Sequence, residues 1–426
     1  MMSRVLVTAL PFASRLHPKV GHAKDILARD RARAQKLLAG LQPHGPVGIQ
    51  ELRAKRSHHH RHPHHGSEGT EPTEPTEPND QTGGSGNSID VTDAAVTYTT
   101  SVKVGESAQA FTLLIDTGSS NTWVGADKEY VPSSTSKSTR KTVKVSYGSG
   151  SFSGTELYFQ TTDRLELASD LVIDEQSIGV ASSAEGFSGV DGILGIGPVE
   201  LTEGTVGGSG TIPTVTDNLK SEGKIEKESI GISYVPTTGT DLANGELTFG
   251  SEDSSKYTGE ITYVPITSTS PASNYWGIDQ SVSYGTTTIM STSAGIVDTG
   301  TTLLLLSSGA FKKYTTATGA KMDESTGLLS VTEAQFEKMK NLSFKIGSTT
   351  FEMTPNAQIW PRSLNTMMGG KANGIYLVVA DMGSMDGSGL DFIDGFAFLQ
   401  RFYSVYDTTN KQVGIATTAH TNDTTN

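Results

Sequence analysis

The sequence predicts a mainly β protein that is built from two similar lobes. From about Asp90 onward, short runs rich in Val, Ile, Thr, Tyr and Phe alternate with Gly, Ser and Asn turns, which is typical of strands joined by tight turns. Glycine is frequent, with 47 of 426 residues, and apolar residues make up 35% of the chain. A repeated motif divides this strand-rich region into two halves.

The motif Asp-Thr-Gly occurs twice, each time directly after an apolar run. The first copy lies in LLIDTGSSNTWVGAD (113–127) and the second in AGIVDTGTTLLLLSS (294–308). Each half also contains a later apolar segment with glycine, DGILGIG (191–197) and FIDGFAF (392–398). Two similar lobes that each present one such loop predict an approximate two-fold axis on which the loops meet.

Asp116 and Asp298, the aspartates of the two copies, are the candidate catalytic residues. An ionised carboxylate at the end of a buried strand is costly unless it is paired or has a chemical role. Two carboxylates that lie close together cannot both ionise cheaply, so they share one proton. Such a pair can activate water with one carboxylate and protonate a peptide carbonyl with the other, without a metal or a covalent intermediate.

The residues that follow the two aspartates form three equivalent pairs: Thr117 with Thr299, Gly118 with Gly300, and Ser119 with Thr301. We expect the threonine hydroxyls to bridge the two loops, and the glycines to allow tight turns that donate backbone N–H groups to the carboxylates. The hydroxyls of Ser119 and Thr301 can hydrogen-bond the outer carboxylate oxygens. A single Asp-Thr-Gly is equally a simple turn, but two equivalent copies favour an active site.

Few helices are predicted. The best candidate after residue 90 is 332–342 (TEAQFEKMKNL), in which a capping box precedes an apolar stripe. The box consists of Thr332 and Gln335, and the stripe consists of Phe336, Met339 and Leu342. Residues 307–319 and 214–221 are further candidates. Residues 24–39 (KDILARDRARAQKLLA) predict a basic amphipathic helix, with apolar positions at Ile26, Leu27, Leu37 and Leu38.

The first 89 residues differ from the rest of the chain in composition. Residues 1–23 contain a weak signal-like segment, VLVTALPFA (5–13). Residues 24–89 are predicted to be a propeptide, in which the basic helix is followed by a disordered linker with a His tract and Pro- and Gly-rich repeats. The His tract is interpreted as part of this linker, with metal binding as the alternative. The N-terminal lobe is assigned to 90–270 and the C-terminal lobe to 271–426.

Composition excludes several kinds of protein. The chain has no cysteine, which rules out disulfides, thiol nucleophiles and cysteine metal sites. Residues 1–90 carry 12 Lys/Arg and 9 Asp/Glu, whereas the remainder carries 21 and 37, a net charge of −16. A body this acidic is a poor nucleic-acid binder and suits an acidic medium. No apolar run reaches the length of a membrane span. His420 is the only histidine after residue 65, so we expect no His-based triad, no metal and no cofactor in the folded part.

Five stretches of the sequence together carry a family resemblance. They are LIDTGSSNTWVG (114–125), VSYGSGSFSG (145–154), VDGILGIGP (190–198), GIVDTGTT (295–302) and FLQRFYSVYDTTNKQVGIA (398–416). With these stretches the chain, over about residues 90–418, resembles the pepsin-like aspartic peptidases, and it is similar to the secreted fungal, polyporopepsin-type members, which also lack cysteine. The resemblance implies a bilobal double-β-barrel fold, with a cleft between two lobes related by a pseudo-two-fold axis.

The resemblance also implies roles for individual residues. Asp116 and Asp298 would be the catalytic pair, and Tyr147, Gly148 and Ser149 would form the tip of a flap that closes over the substrate. Trp123 would support Tyr147 through its indole N–H. The walls of the pocket for the residue before the scissile bond would include Leu114, Val190 and Ile193, and Thr302 would also contact the substrate. Because Ser149 is not acidic, little cleavage after Lys is expected.

We therefore expect a monomeric, secreted acid endopeptidase that acts on protein and peptide substrates and prefers large apolar or aromatic residues near the scissile bond. Vacuolar residence is the alternative location, and a catalytically inactive relative that binds other proteins is the alternative function. The basic propeptide is expected to dock over the cleft at neutral pH, to be released in acid and to be cleaved near 86–92. Asp394 stands where the family usually has an apolar residue, and it is given no catalytic role.

Overall fold

The structure is a computed structural model. It describes residues 12–13, 23–39, 87–133, 136–147, 151–159, 165–185, 187–207, 210–237, 239 and 242–426. The His tract and the flap residues Gly148 and Ser149 lie outside the described residues.

Within these ranges the protein is mainly β. The strands that precede residue 200 are β1 (Phe12–Ala13), β2 (Ser88–Asp93), β3 (Tyr98–Val104), β4 (Gln109–Asp116), β5 (Trp123–Val124), β6 (Ser136–Ser146), β7 (Ser151–Phe159), β8 (Leu165–Ala168), β9 (Leu171–Ile173), β10 (Ser177–Glu185), β11 (Phe187–Ser188) and β12 (Gly192–Gly195). Those that follow are β13 (Ser229–Ser233), β14 (Leu242–Phe249), β15 (Thr258–Pro265), β16 (Gly277–Tyr284), β17 (Thr287–Val297), β18 (Leu304–Leu306), β19 (Lys321–Met322), β20 (Leu329–Ser330), β21 (Leu342–Ile346), β22 (Thr349–Met353), β23 (Val379–Asp381), β24 (Phe392–Asp394), β25 (Phe402–Asp407) and β26 (Gln412–Thr417).

The helices of the described residues are short apart from the first. They are α1 (Ala23–Leu38), α2 (Val215–Ser221), α3 (Ser308–Thr318), α4 (Glu333–Phe336) and α5 (Phe396–Leu399). Single 3-10 turns occupy Val199–Thr202, Ala272–Asn274, Asn356–Gln358 and Arg362–Leu364.

Two sheets carry most of the described fold. The larger contains 15 strands, in the path β15-β26-β25-β13-β14-β2-β3-β4-β12-β5-β10-β7-β6, with β8 attached to β3 and β9 attached to β8. The second contains seven strands, in the order β22-β21-β16-β17-β24-β18-β23. Strands β25 and β26, which come from the end of the chain, pair with strands that precede residue 270. The C-terminal segment therefore ties the two halves together.

The two Asp-Thr-Gly motifs occupy equivalent places in these sheets. Strand β4 ends at Asp116 and pairs in parallel with β12, which also pairs with β5 on the far side of the motif. Strand β17 ends one residue before Asp298 and pairs in parallel with β24, which also pairs with β18. In each half a third strand thus lies between the strand that enters the loop and the strand that leaves it, which confirms the predicted repeat and the bilobal fold.

The predicted helices are confirmed except in one case. Residues 332–342 do not form one helix, because only Glu333–Phe336 is helical. The capping box of Thr332 and Gln335 is present, but Leu342 begins β21, which pairs with β16 and β22. Met339 and Leu342 are buried as expected. For Leu342, pairing with the neighbouring strands overrides the helical spacing of the apolar stripe.

Helix α1 packs against the body of the protein. Its residues Ile26, Leu27, Ala34 and Leu37 are buried in the same apolar cluster as the cores of the two halves. The backbone N–H of Ala23 donates to Met368 O at 2.9 Å. The amphipathic pattern predicted for 24–39 therefore describes a helix that covers the body with its apolar face.

Candidate active site

The loops that follow Asp116 and Asp298 meet through a reciprocal set of hydrogen bonds. The backbone N–H of Thr117 donates to Thr299 Oγ1 at 2.9 Å, and the N–H of Thr299 donates to Thr117 Oγ1 at 3.0 Å. The Thr299 hydroxyl also donates to Ile115 O at 3.0 Å. This symmetric bridge, as predicted from the threonine pair, fixes the two aspartates opposite one another.

The carboxylates of Asp116 and Asp298 are fully buried and accept hydrogen bonds from equivalent donors. Asp116 Oδ1 accepts from its own loop through Gly118 N at 3.0 Å, and Oδ2 accepts from Ser119 Oγ at 2.5 Å. Asp298 accepts in the same way from Gly300 N at 3.1 Å and from Thr301 Oγ1 at 2.6 Å. Both side chains are 0% exposed. The hydrogen bonds hold each carboxylate in a fixed orientation.

Glycine is required in both loops because the glycine of each loop lies against the carboxylate of the other loop. A Cβ atom on Gly118 would lie 2.7 Å from Asp298 Oδ1, and a Cβ atom on Gly300 would lie 2.6 Å from Asp116 Oδ1. Real Cβ atoms do not approach carboxylate oxygens so closely, so any larger residue would push the two aspartates apart.

The predicted flap contact is present. Trp123 Nε1 donates to Tyr147 Oη at 2.8 Å, and both side chains are buried. They belong to an apolar cluster on the first half of the chain, which we call the wall cluster; it consists of Leu114, Trp123, Val143, Val145, Tyr147, Val190, Ile193, Val206 and Ile212. The three residues predicted to line the pocket are thus in one contiguous surface with the flap tyrosine.

Phe187 is a member of this surface that sequence reasoning missed. Its ring packs edge-on against Trp123, with centroids 4.7 Å apart, and against Tyr147, with centroids 5.5 Å apart. It lies three residues before Val190, in a Gly- and Ser-rich stretch without periodicity. No local signal distinguishes this phenylalanine from a turn residue, because its contacts are made across the fold.

Arg33 of helix α1 reaches both aspartates. Its Nη2 lies 2.6 Å from Asp116 Oδ1 and 2.9 Å from Asp298 Oδ1, and its Nε lies 2.7 Å from Asp298 Oδ2. Burial by itself would lower the pKa of this guanidinium, but the two carboxylates together raise it above its ordinary value. A planar guanidinium suits this position because it can donate to two acceptors at once.

One turn before Arg33, helix α1 contacts Thr302, which was predicted to contact substrate. Asp30 Oδ2 accepts from the backbone N–H groups of Thr302 and Leu303 at 3.1 and 2.9 Å. Arg29 Nη2 donates to Thr302 Oγ1 at 2.6 Å. Burial raises the pKa of Asp30 to about 6, while Arg29 and the two backbone donors act in the opposite direction. The helix thus bonds to Asp298 itself and to the polar groups of Thr302 and Leu303, which follow it.

Lys36 follows Arg33 by one turn and lies beside the flap tyrosine. Its Nζ is buried without a hydrogen-bond partner and lies 5.9 Å from the centre of the Tyr147 ring. Burial lowers the pKa of Lys36 well below its ordinary range, and the nearby Arg33 charge lowers it further against an opposing effect of Asp116. The helix therefore places Arg33 on both aspartates and Lys36 beside Tyr147, and among the described residues the Lys36 ammonium has no hydrogen-bond partner.

These observations define the class of protein. The profile of the eukaryotic aspartyl protease family matches residues 97–418, so the chain belongs to this family and is an aspartic-type endopeptidase with a pepsin-like fold.

Individual relatives agree with this assignment. The chain is 59% identical to polyporopepsin of Irpex lacteus over 342 residues, which cover 80% of this chain and 99% of that protein. It is 33% identical to rhizopuspepsin-1 of Rhizopus niveus over 340 residues, which cover 76% and 80%. The crystal structure of the aspartic proteinase from Irpex lacteus matches with a TM-score of 0.77 at 59% identity, covering 80% of this chain and 99% of that one.

Among the described residues, no helix combines the length and apolar character needed to cross a membrane.

Proposed function

We propose that the chain is the inactive precursor of an acid endopeptidase in which Asp116 and Asp298 are the catalytic residues. One observation supports this above all: the two buried carboxylates face each other across a symmetric loop bridge and hold matching donors. Structural carboxylates rarely need such a symmetric arrangement, whereas a pair that shares one proton does.

The reaction needs only this pair and a water molecule. The ionised carboxyl removes a proton from water as its oxygen attacks the scissile carbonyl carbon, and the protonated carboxyl gives its proton to the carbonyl oxygen. The tetrahedral intermediate collapses when the carboxyl that took the proton from water delivers it to the leaving nitrogen. A hydroxyl proton of the intermediate returns to the other carboxylate, the C–N bond breaks, and the pair again holds one proton. The hydrogen bonds from Ser119 and Thr301 keep the carboxylates oriented through these steps.

Digestion of haemoglobin or casein at pH 3–4 tests this proposal. We expect the processed enzyme to be active and pepstatin to abolish the activity. Asp116→Asn and Asp298→Asn should each reduce kcat by roughly a thousandfold or more. Asp170→Asn, at an exposed turn, is the matched control and should leave the rate unchanged. Digestion that persists with pepstatin, or in either dyad variant, would refute the assignment.

We further propose that the segment predicted to be a propeptide, residues 24–89, is inhibitory. Arg33 blocks the dyad at neutral pH, and protonation of the carboxylates in acid removes its partners and favours release of α1. Cleavage before Ser88 fits the structure, since Ser88 begins β2, which pairs with β14 and β3. N-terminal sequencing after exposure to pH 3–4 locates the cleavage; a start after Asp93, or an intact chain, would count against this proposal.

The apolar wall cluster supports a preference for large apolar or aromatic side chains next to the scissile bond. Tyr147, Leu114 and Ile193 are all 5% exposed or less and offer no charged group to a substrate side chain. Cleavage-site mapping on a mixed peptide library checks this preference, and frequent cleavage after Lys or Glu would contradict it.

We propose that the mature enzyme is a secreted monomer. An acidic body with a net charge of −16 after residue 90 suits an acidic exterior medium, and the two-fold pairing of loops is already complete within one chain. Immunodetection in culture medium and in isolated vacuoles distinguishes secretion from vacuolar residence. Size-exclusion chromatography with light scattering checks the monomer.

A further inference from the structure

Asp394 occupies a position that is apolar in the first half of the chain. In β12, Leu194 pairs with Ile115, the residue before Asp116, and in β24, Asp394 pairs with Val297, the residue before Asp298. Leu194 and Asp394 are both 0% exposed. A carboxyl group has thus replaced a buried leucine directly behind the second catalytic loop, and its burial requires an explanation.

The side chain of Asp394 has one hydrogen-bond partner. Gln280 Nε2, on β16, donates to Asp394 Oδ1 at 3.1 Å. The remaining polar atoms of the two side chains, Asp394 Oδ2 and Gln280 Oε1, are buried and have no partner. Burying these two oxygen atoms without partners costs free energy, because each loses its hydration without gaining a hydrogen bond.

Within the described ranges, no cationic side chain forms an ion pair that would compensate the charge of an ionised Asp394. Asp394 takes part in no salt bridge among the described residues. Strands β16 and β18 place Gln280 and Leu304 next to it, and neither of these side chains titrates. The titratable groups on the other neighbouring strands are Asp298, after β17, and Tyr406, on β25, and neither is a cation at neutral pH. Burial raises the pKa of Asp394 to about 8, against the lowering effect of the Gln280 hydrogen bond.

We propose that Asp394 is a neutral carboxylic acid that forms a two-point pair with Gln280 and so positions the backbone of Asp298. In this pair the Gln280 amide N–H donates to Asp394 Oδ1, and the Asp394 carboxyl O–H on Oδ2 donates to Gln280 Oε1. One proton thereby satisfies both atoms that are otherwise unpaired. Asp394 is a positioning residue and does not touch the reacting atoms.

The pair acts on the active site through the backbone. The N–H of Asp298 donates to the carbonyl oxygen of Asp394 at 3.1 Å, while the Asp394 side chain is tied to Gln280 on another strand of the same sheet. Strand β24 is therefore held between β17, which enters the Asp298 loop, and β18, which leaves it. This inference rests on the proposed catalytic role of Asp298.

The proposal predicts a particular dependence of stability on pH. Since the folded chain holds a proton on Asp394 that the unfolded chain releases near pH 4, stability falls as pH rises from there towards the pKa of the folded state near 8. Asn at this position reproduces the neutral acid: its amide N–H donates to Gln280 Oε1, its oxygen accepts from Gln280 Nε2, and it does not titrate.

Thermal unfolding of the full chain tests the pair without any reference to catalysis. An Asp116→Asn background prevents self-digestion, and Tm is followed between about pH 5.5 and 9. We expect the Tm of Asp394→Asn, relative to the parent, to rise by roughly 5 °C or more across this range. Asp394→Leu leaves Gln280 unpaired and should lower Tm at the acidic end of the range. The matched control is Asp391→Asn, because the Asp391 carboxylate accepts from the N–H groups of Gly387 and Ser388 and should show no such gain.

Kinetics of the mature enzyme at pH 3–4 tests the positioning role. Asp394→Leu should lower kcat about tenfold or more with KM within about threefold, whereas Asp394→Asn should keep both within about twofold. A Tm difference that stays constant with pH, or an Asp394→Asn chain that does not fold, would overturn the neutral pair. Full kcat in Asp394→Leu would overturn the positioning role. Failure of the catalytic assignment itself shows up separately, as activity that survives Asp298→Asn.

Discussion

Replacing Arg33 with leucine removes the guanidinium that joins α1 to both aspartates. The substitution keeps a side chain that favours helix and deletes three hydrogen bonds, of 2.6, 2.7 and 2.9 Å, to carboxylates that are fully buried. The docked helix then covers two carboxylates without supplying a partner. We therefore expect Arg33→Leu to shift the full-length chain towards an undocked, active form.

The size of this shift follows from the burial of the ion pairs. Removing one partner of a buried charge pair costs about 3–5 kcal/mol, so occupancy of the cleft by α1 should weaken by roughly 150- to 4,000-fold. Arg31 on the same helix gives a matched control. Its Nη2 lies 3.6 Å from Asp381 Oδ2, its Nε donates to Asp381 O at 2.7 Å, and its side chain is 38% exposed, so Arg31→Leu should cost only about 1–2 kcal/mol.

The assay is a jump from pH 7 to a series of lower pH values with a fluorogenic peptide present. The parent and Arg31→Leu should show a lag before hydrolysis, while Arg33→Leu should show little lag and should become active at a higher pH. The mature enzymes should have equal kcat/KM, since the substituted segment has been removed. Equal lags and equal activation midpoints for the two variants would refute the proposed block of the dyad by Arg33.

Two further substitutions test the neighbouring contacts. Burial lowers the pKa of Lys36 in the docked helix, so the undocked helix holds a proton there more tightly and lower pH opposes docking at this residue. Lys36→Met should therefore move activation to lower pH, and exposed Lys24→Met should not. An unchanged or higher midpoint for Lys36→Met would contradict this. Trp123→Phe removes the donor to Tyr147 Oη and should lower kcat/KM about 3- to 10-fold, whereas Trp360→Phe, which deletes a buried indole N–H that has no partner, should leave it unchanged.

The two Asp-Thr-Gly loops could be predicted because their signal is local and repeated. Each Asp-Thr-Gly follows an apolar strand. The residue directly after each motif, Ser119 or Thr301, has a hydroxyl that donates to the aspartate of its own loop. The capping box of Thr332 was predicted for the same reason, since both of its partners lie within four residues. The extent of the helix that follows was wrong, because Leu342 pairs with strands that are distant in sequence.

The residues that sequence reasoning did not find depend on distant partners. Helix α1 carries five basic side chains at Lys24, Arg29, Arg31, Arg33 and Lys36, and nothing in their local pattern distinguishes the one that meets the dyad. Phe187 was missed for the same reason, because its contacts with Trp123 and Tyr147 depend on how three segments that are distant in sequence pack.

By itself the sequence determined the fold class, the two-fold repeat and the identity of the paired aspartates, because these depend on periodicity and on neighbours along the chain. Only the tertiary structure decided that Arg33 is the residue between the aspartates and that Asp394 faces Gln280, 114 residues away. The physical reason is that burial and electrostatic pairing depend on distances in space. A carboxyl or guanidinium group has the same local sequence signal whether its partner is water or a buried charge.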